Sequence, residues 1–251
     1  MLKYRSILRL EEYHGELTVT SNYVSPTVLL FIRSIIFFYM IIVHVINIIY
    51  NYQQPLSFVM YLSNLIYYGL TVYMGISFYV SLRYHLSRQS YIPYENTHWT
   101  LKFGYLWLYG TCFTLTTLIF LIYWSLLASE ALGPNSLPID YFLAISFHGI
   151  SFLTMILEVL LSCNPIFFNY LPFVLMTLLI YLPYALLFHL RYNIWVYFFL
   201  NYIENPSLFA GVVCGSLILC IVIFSIFVAI HHTRDCFGRR KTKNMDVITQ
   251  L

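Results

Sequence analysis

Most of the charge in this chain avoids six long apolar runs, at about residues 28–50, 58–82, 101–127, 139–162, 171–190 and 208–230. A helix needs about 20 apolar residues to cross a hydrocarbon layer about 30 Å thick, and every run is long enough. Charged residues make up 9% of the chain, against about 25% in ordinary soluble domains. A soluble barrel or nucleotide-binding fold of this length would need a polar outer face on each helix, and 23 charged side chains cannot supply one. The sequence therefore predicts an all-α, polytopic membrane bundle of six transmembrane helices. Pro, Asn, Gly and charged residues mark the breaks at 51–55, 87–98, 133–138, 164–172 and 191–206. Residues 1–27 read as an N-terminal segment, 28–230 as the membrane domain and 231–251 as a basic tail. The first apolar run begins near Val28 and is long enough to span, so no cleavable signal is expected.

Six spans put both termini on one side. With that side cytoplasmic, the inner segments hold Lys3, Arg5, Arg9, Arg83, Arg88, Lys102, Arg234, Arg239, Arg240, Lys241 and Lys243, whereas the outer loops hold only Arg191. Lys and Arg in short loops favour the cytoplasm, so cytoplasmic termini are expected. The net charge of +3 thus belongs to the loops and marks no nucleic-acid surface. Arg239, Arg240, Lys241 and Lys243 are suited to anionic lipid beneath the last span. Thr249, Gln250 and Leu251 have the form of a carboxylate captured by a PDZ-like groove.

Ionisable groups inside spans are costly and so draw attention. Counting along the helices places His44, Ser63, Asn64 and His189 in the outer half of their spans and His148 in the outer half or near the midplane of its own, so four different spans bring them to similar depth. A hydroxyl and an imidazole at one depth are the minimum parts for acyl transfer, the imidazole removing the nucleophile's proton and later protonating a leaving group. Interhelical hydrogen bonding is the simpler role for the same residues. Glu158 lies towards the cytoplasmic end of the fourth span, where Arg33 is its expected partner in a structural ion pair; Arg33 could instead snorkel to the interface.

Other signals are weaker. Cys112, Cys163, Cys214, Cys220 and Cys236 form no C-x-x-C pair, so neither a disulfide framework nor a metal site is expected. Cys236, beside Arg234, Arg239 and Arg240, has the setting of a palmitoylation site, although an ordinary thiol is the plainer reading. The 24 Tyr, 21 Phe and 4 Trp suit membrane packing and interfacial anchoring. No nucleophile elbow, zinc helix or phosphate-binding loop is present, and no cofactor is expected.

Several short stretches resemble the androgen-induced integral membrane protein family. Trp195-Val-Tyr-Phe-Phe-Leu-Asn-Tyr-Ile203 is similar to its W-V-Y-P-F-L-type stretch after the fifth span, with His189 on a family histidine. Phe58-Val-Met-Tyr-Leu-Ser-Asn-Leu65 with Gly75 resembles F-L-T-F-x-(D/N)-L and its later glycine, which places Ser63 on the family threonine. Tyr123-Trp124-Ser125-Leu126 resembles F-W-x-x-Y. His148-Gly149 with Glu158 resembles N-H-G-x-H with its later acid. Two registers are open there: anchoring on His148-Gly149 puts Ser151 at the functional histidine, and anchoring on Glu158 puts His148 there. Tyr61-Leu-Ser-Asn64 and His148-Gly-Ile-Ser151 are also similar to the Y-L-T-N and H-G-x-N patterns of rolling-stone-like membrane proteins, which imply no comparable chemistry.

The first resemblance implies a six-span fold and hydrolysis of fatty acid esters of hydroxy fatty acids by an intramembrane hydroxyl and histidine. On that reading Ser63 is the nucleophile, His148 the general base and acid, and His189 or Asn64 a group that orients or stabilises an oxyanion. Membrane lipids and an acyl ester are the expected partners, without nucleic acid, and the endoplasmic reticulum membrane is the expected residence. The alternative is a non-catalytic lipid-binding or scaffold protein in which His44, Ser63, His148 and His189 form an interhelical hydrogen-bond cluster.

Overall fold

The computed structural model describes residues 8–95 and 97–248, with side chains as far as Cys236. Lys3, Arg5 and the 249–251 tail lie outside the described residues, as do the side chains of Arg239, Arg240, Lys241 and Lys243. The described chain is helical with no strand. Its six long helices are α1 (Pro26–Tyr50), α2 (Leu62–Leu86), α3 (Trp99–Ala131), α4 (Pro138–Leu161), α5 (Leu171–Tyr192) and α6 (Pro206–Ile248). All six are long and apolar enough to cross a membrane, so the protein is a multi-pass membrane protein.

Local chemistry sets the helix ends. Ser25 Oγ accepts from the Val28 amide, and Pro26, which has no N–H to leave unpaired, opens α1. At α4, Pro138 takes the same position while Asp140 Oδ2 accepts from the Leu137 amide at 2.8 Å. Asn193, in the left-handed region at φ 55°, ends α5.

Two expected boundaries move. The run 58–82 is not one helix: a single turn, Ser57–Met60, is followed by extended Tyr61, and α2 begins only at Leu62. The Tyr197 hydroxyl accepts from the Leu62 amide at 3.2 Å, satisfying a donor that the break frees. At the other end of the chain α6 does not stop at 230 but continues to Ile248. His231 and Arg234 are buried and belong to the bundle, so the bundle extends past the expected tail boundary.

Half of the most apolar stretch is buried in each of α2, α3 and α4, against 17 to 22% in α1, α5 and α6. The former are therefore central and the latter peripheral. Helix α3 packs against α2, α4, α5 and α6, and α1 packs on α2. On α1, Phe31, Ile35, Phe38, Ile42 and Ile49 are exposed at helical spacing, an apolar outer stripe that lipid would cover.

The N-terminal segment is a plug. Leu8, Leu10, Tyr13 and Val19 are buried against one end of the bundle, and Tyr13 and Thr18 share a hydroxyl–hydroxyl bond. Gly15 runs so close to the 87–98 connection that a Cβ would sit 1.6 Å from the Pro93 carbonyl oxygen; only glycine fits. The Cys163 amide donates to the Thr20 carbonyl at 3.2 Å, tying the plug to the α4–α5 connection.

Candidate functional site

Polar groups gather at two places. At the plugged end, Arg33 is fully buried rather than snorkelling. Its Nε donates to Glu158 Oε2 at 3.2 Å, its NH2 group pairs with Oε1, and its NH1 group donates to the Thr18 carbonyl and to Ser81 Oγ. The Tyr73 hydroxyl donates to Glu158 Oε1 at 3.0 Å, and Asn164 Nδ2 donates to the hydroxyls of Tyr73 and Tyr105. Such a buried pair survives only when its remaining hydrogen-bonding capacity is filled, and here helices α1, α2, α4 and the plug fill it.

One turn away, Arg234 donates to the carbonyls of Val159, Ser162 and Asn164 at 2.6 to 3.0 Å. The Val159 carbonyl is one that the last turn of α4 leaves without a helical partner, and those of Ser162 and Asn164 follow in the connection after it. His231 Nδ1 lies 2.8 Å from the Phe227 carbonyl, which can only accept, so Nδ1 carries a proton; in the neutral ring Nε2 then accepts from the Tyr109 hydroxyl at 2.8 Å. By sequence alone Arg234 and His231 belong to the basic tail that follows residue 230. A histidine directly after an apolar run and a basic residue one turn beyond it are the only signal there for them.

At the opposite end of α2, α3 and α4 a cavity of about 1040 Å³ opens. Ser63, Asn64 and His148 all line it, together with Tyr197 and Trp195 from the α5–α6 connection. Ser63 is the second residue of α2, not several residues down a longer helix. A helix N-terminus carries partial positive charge, and that end of α2 borders the cavity. Asn64 Nδ2 donates to the Ser57 carbonyl at 2.7 Å, which fixes the broken turn beside Ser63.

His148 is nine-tenths buried and stands in a π-helical turn, Ile145–Ile150, within α4. Its ring stacks on Tyr123 with centroids 3.6 Å apart and planes 13° from parallel. Tyr123 opens the second π-helical turn, Tyr123–Leu127 of α3. Turns of this kind are rare and concentrate at functional sites. His148 Nδ1 is buried with no hydrogen-bond partner among the described residues. Burial pushes the Tyr197 phenol, which lies outside the spans, up to about 12.

The expected histidine cluster is not assembled. His44 is half-buried between α1 and α2, where its Nε2 meets Thr71 Oγ1 at 2.8 Å and its ring stacks on Tyr68. Because the Thr71 hydroxyl donates to the Tyr67 carbonyl, neutral His44 is the donor in that pair. His189 stacks on Trp195 with centroids 3.6 Å apart. Neither histidine lines the cavity; Trp195 stands at its wall with His189 against it. Among the described residues no three His, Cys, Asp or Glu side chains converge as metal ligands.

No family model, curated protein or solved structure matches this chain.

Proposed function

We propose that this multi-pass membrane protein is an intramembrane hydrolase of acyl esters. The observation that carries the reading is that Ser63, at the N-terminus of α2, and His148, nine-tenths buried in α4, line one cavity of about 1040 Å³. Pockets for extended organic ligands run to about 1,000 Å³, so the chamber is large enough for an acyl chain and its ester. The short motifs that resemble those of androgen-induced membrane proteins support Ser63, and support His148 in the register anchored on Glu158.

In the reaction, Ser63 Oγ attacks the ester carbonyl while His148 takes the hydroxyl proton. The alkoxide oxygen of the substrate then leaves with that proton, and the acyl group stays on Ser63. Water, deprotonated by His148, attacks the acyl-serine; the acid departs and Ser63 regains its proton. The oxyanion of each tetrahedral intermediate lies near the positive end of α2, and the second N–H of the Asn64 amide is free to donate to it. His189 acts at one remove, by supporting the Trp195 wall. Both termini face the cytoplasm on this reading, and the protein resides in the endoplasmic reticulum membrane.

The test is hydrolysis by purified protein of fluorogenic acyl esters in nonionic detergent. Wild type should turn over, and a folded Ser63→Ala protein should not. Equal activity in the two would remove the mechanism. The lack of any hydrogen-bonded acid or carbonyl on His148 Nδ1 favours a second reading, a non-catalytic lipid-binding or scaffold protein. On that reading His148→Ala changes lipid binding and thermal stability, and wild type never turns over.

A further inference from the structure

The chamber that holds Ser63 and His148 has a polar mouth, where Asn51, Gln54, Asn201 and Asn205 of the connections border it. Further in its walls are apolar, with Leu118, Ile119 and Ile122 of α3 and Val213 and Leu217 of α6. A long acyl ester is dissolved in the bilayer, and each methylene that passes through water gives up the hydrophobic stabilisation it has there. The favoured route into the chamber is therefore sideways, between helices.

The bundle is thin at one such place. Between α3 and α6 a second hollow of about 290 Å³ is lined by Leu121, Ser125 and Leu126 from α3 and by Gly215 and Leu219 from α6. Leu121, Leu126 and Gly215 are exposed, so the hollow opens on the outer surface. Ile122, Val212 and Ser216 line both the hollow and the chamber; all three are half-buried, and they form the wall between the two spaces. Gly215 keeps the hollow open, since a Cβ there would meet nothing within 4 Å. The Ser125 hydroxyl turns back to donate to the Leu121 carbonyl at 2.6 Å, so it does not offer its proton to a ligand. Ser125 and Leu126 belong to the π-helical turn of α3, which puts irregular backbone beside the shared wall. Val212 and Leu219 lie about 9 and 20 Å along α6 from Pro206 at 1.5 Å per residue, depths that fall within a hydrocarbon layer about 30 Å thick. Acyl chains are what surrounds the bundle there.

We propose that the α3–α6 hollow is a lateral gate: the acyl chain of a bilayer-dissolved ester seats in it and enters the chamber by displacing the side chains of Ile122, Val212 and Ser216. The proposal rests on the reading of the chamber as an acyl-ester site.

The experiment measures ligand exchange on full-length Ser63→Ala protein, which cannot consume the ligand, in phosphatidylcholine vesicles. A fluorescent palmitoyl ester and its water-soluble butanoyl counterpart are bound and then chased with unlabelled ester. Gly215→Leu fills the hollow from α6 and Ser125→Leu from α3, and neither residue lines the chamber. Gly211→Leu is the control, because Gly211 is exposed in equally open surroundings but lines neither space. In the filled variants palmitoyl exchange should slow about tenfold or more, as an overpacked passage requires. Affinity should stay within about twofold, because a gate slows entry and release alike and an exposed substitution changes little else. Butanoyl exchange, which uses the polar mouth, and both rates in Gly211→Leu should match the parent. Unchanged palmitoyl exchange in the filled variants, equal slowing of the two esters, equal slowing in Gly211→Leu, or failure of the palmitoyl ester to bind would each overturn the proposal. So would slowing confined to Leu179→Trp, at an exposed α5 side chain that also lines the chamber, or a wild-type dimer in detergent that the filled variants dissociate, since the hollow would then seat a second copy of the chain. If wild type hydrolyses neither ester while the slowing persists, the hydrolase reading fails and the gate stands. If wild type hydrolyses the esters while exchange in the filled variants is unslowed, the gate fails and the hydrolase reading stands.

Discussion

His148 and Tyr123 stack face to face, centroids 3.6 Å apart, each carried on a π-helical turn of a different central helix. With no hydrogen bond on Nδ1 to orient the imidazole, the Tyr123 ring is what holds its plane. In a hydrogen-bonded triad a carboxylate does that work; here an aromatic face does. Tyr123→Leu should therefore reduce ester turnover about tenfold or more, a part of the roughly 10²- to 10⁴-fold that a general base supplies, while Tyr123→Phe, which keeps the ring, stays near wild type. Steady-state kinetics on the two variants decide this. Equal losses would point to the hydroxyl and not the stack.

The ion pair at the plugged end gives a prediction about stability. Removing one member of a buried pair leaves an uncompensated charge, at a cost of about 3 to 5 kcal/mol. Glu158→Leu strands Arg33, and Arg33→Leu strands Glu158 and frees the Thr18 carbonyl. The double replacement should melt above both single variants in detergent. Losses that simply add would show that the two side chains do not depend on each other.

Arg234 draws three carbonyls from the end of α4 and the connection after it. Its planar fork reaches all three at once, which an ammonium cannot do. Arg234→Lys should cost about 2 to 3 kcal/mol, since hydrogen bonds to charged groups contribute about 1.5 to 3 kcal/mol each and some would remain. Thermal unfolding followed by circular dichroism measures it; a melting temperature unchanged in Arg234→Lys would show that charge alone suffices.

These elements differ in how far the sequence announces them. The six spans are plain in it because hydropathy acts locally: each apolar run must be helical to satisfy its backbone in lipid, and Pro26, Pro138 and Pro206 mark three of the starts. Ser63 and His148 stand out as polar residues in apolar runs. The cavity they share depends on contacts that no local pattern encodes. Tyr197 caps α2 across 135 residues of chain. Arg234 becomes buried only because the α4–α5 connection offers it carbonyls, so a basic residue just past a span was indistinguishable from a tail. The π-helical turns leave no trace in the spacing of apolar residues. His44 and His189 share a polar character with His148 but point into their own aromatic contacts, which depth along a helix does not reveal.

Tyr197 gives a pH dependence. Its phenol is pushed up to about 12 in the folded protein, chiefly by burial, against about 10 in an unfolded chain. The folded state therefore holds this proton more tightly. The associated stability is complete below pH 10 and is lost as pH rises from about 10 towards 12. A plot of melting temperature against pH should fall across that window in wild type and fall less in Tyr197→Phe, which has no proton there to lose. Parallel curves would exclude Tyr197 as a source of the alkaline loss.

The central claim is that Ser63 forms a covalent acyl intermediate with His148 as its base. Peptide mass spectrometry of the purified protein after treatment with a fluorophosphonate tests it most directly, because phosphonylation needs an activated hydroxyl and reports its position. The account predicts a single adduct on Ser63, absent from Ser63→Ala and at least about a hundredfold slower to form in His148→Ala, as loss of a general base requires. Folded, monodisperse wild type that carries no adduct, or carries it on another residue, would contradict the account.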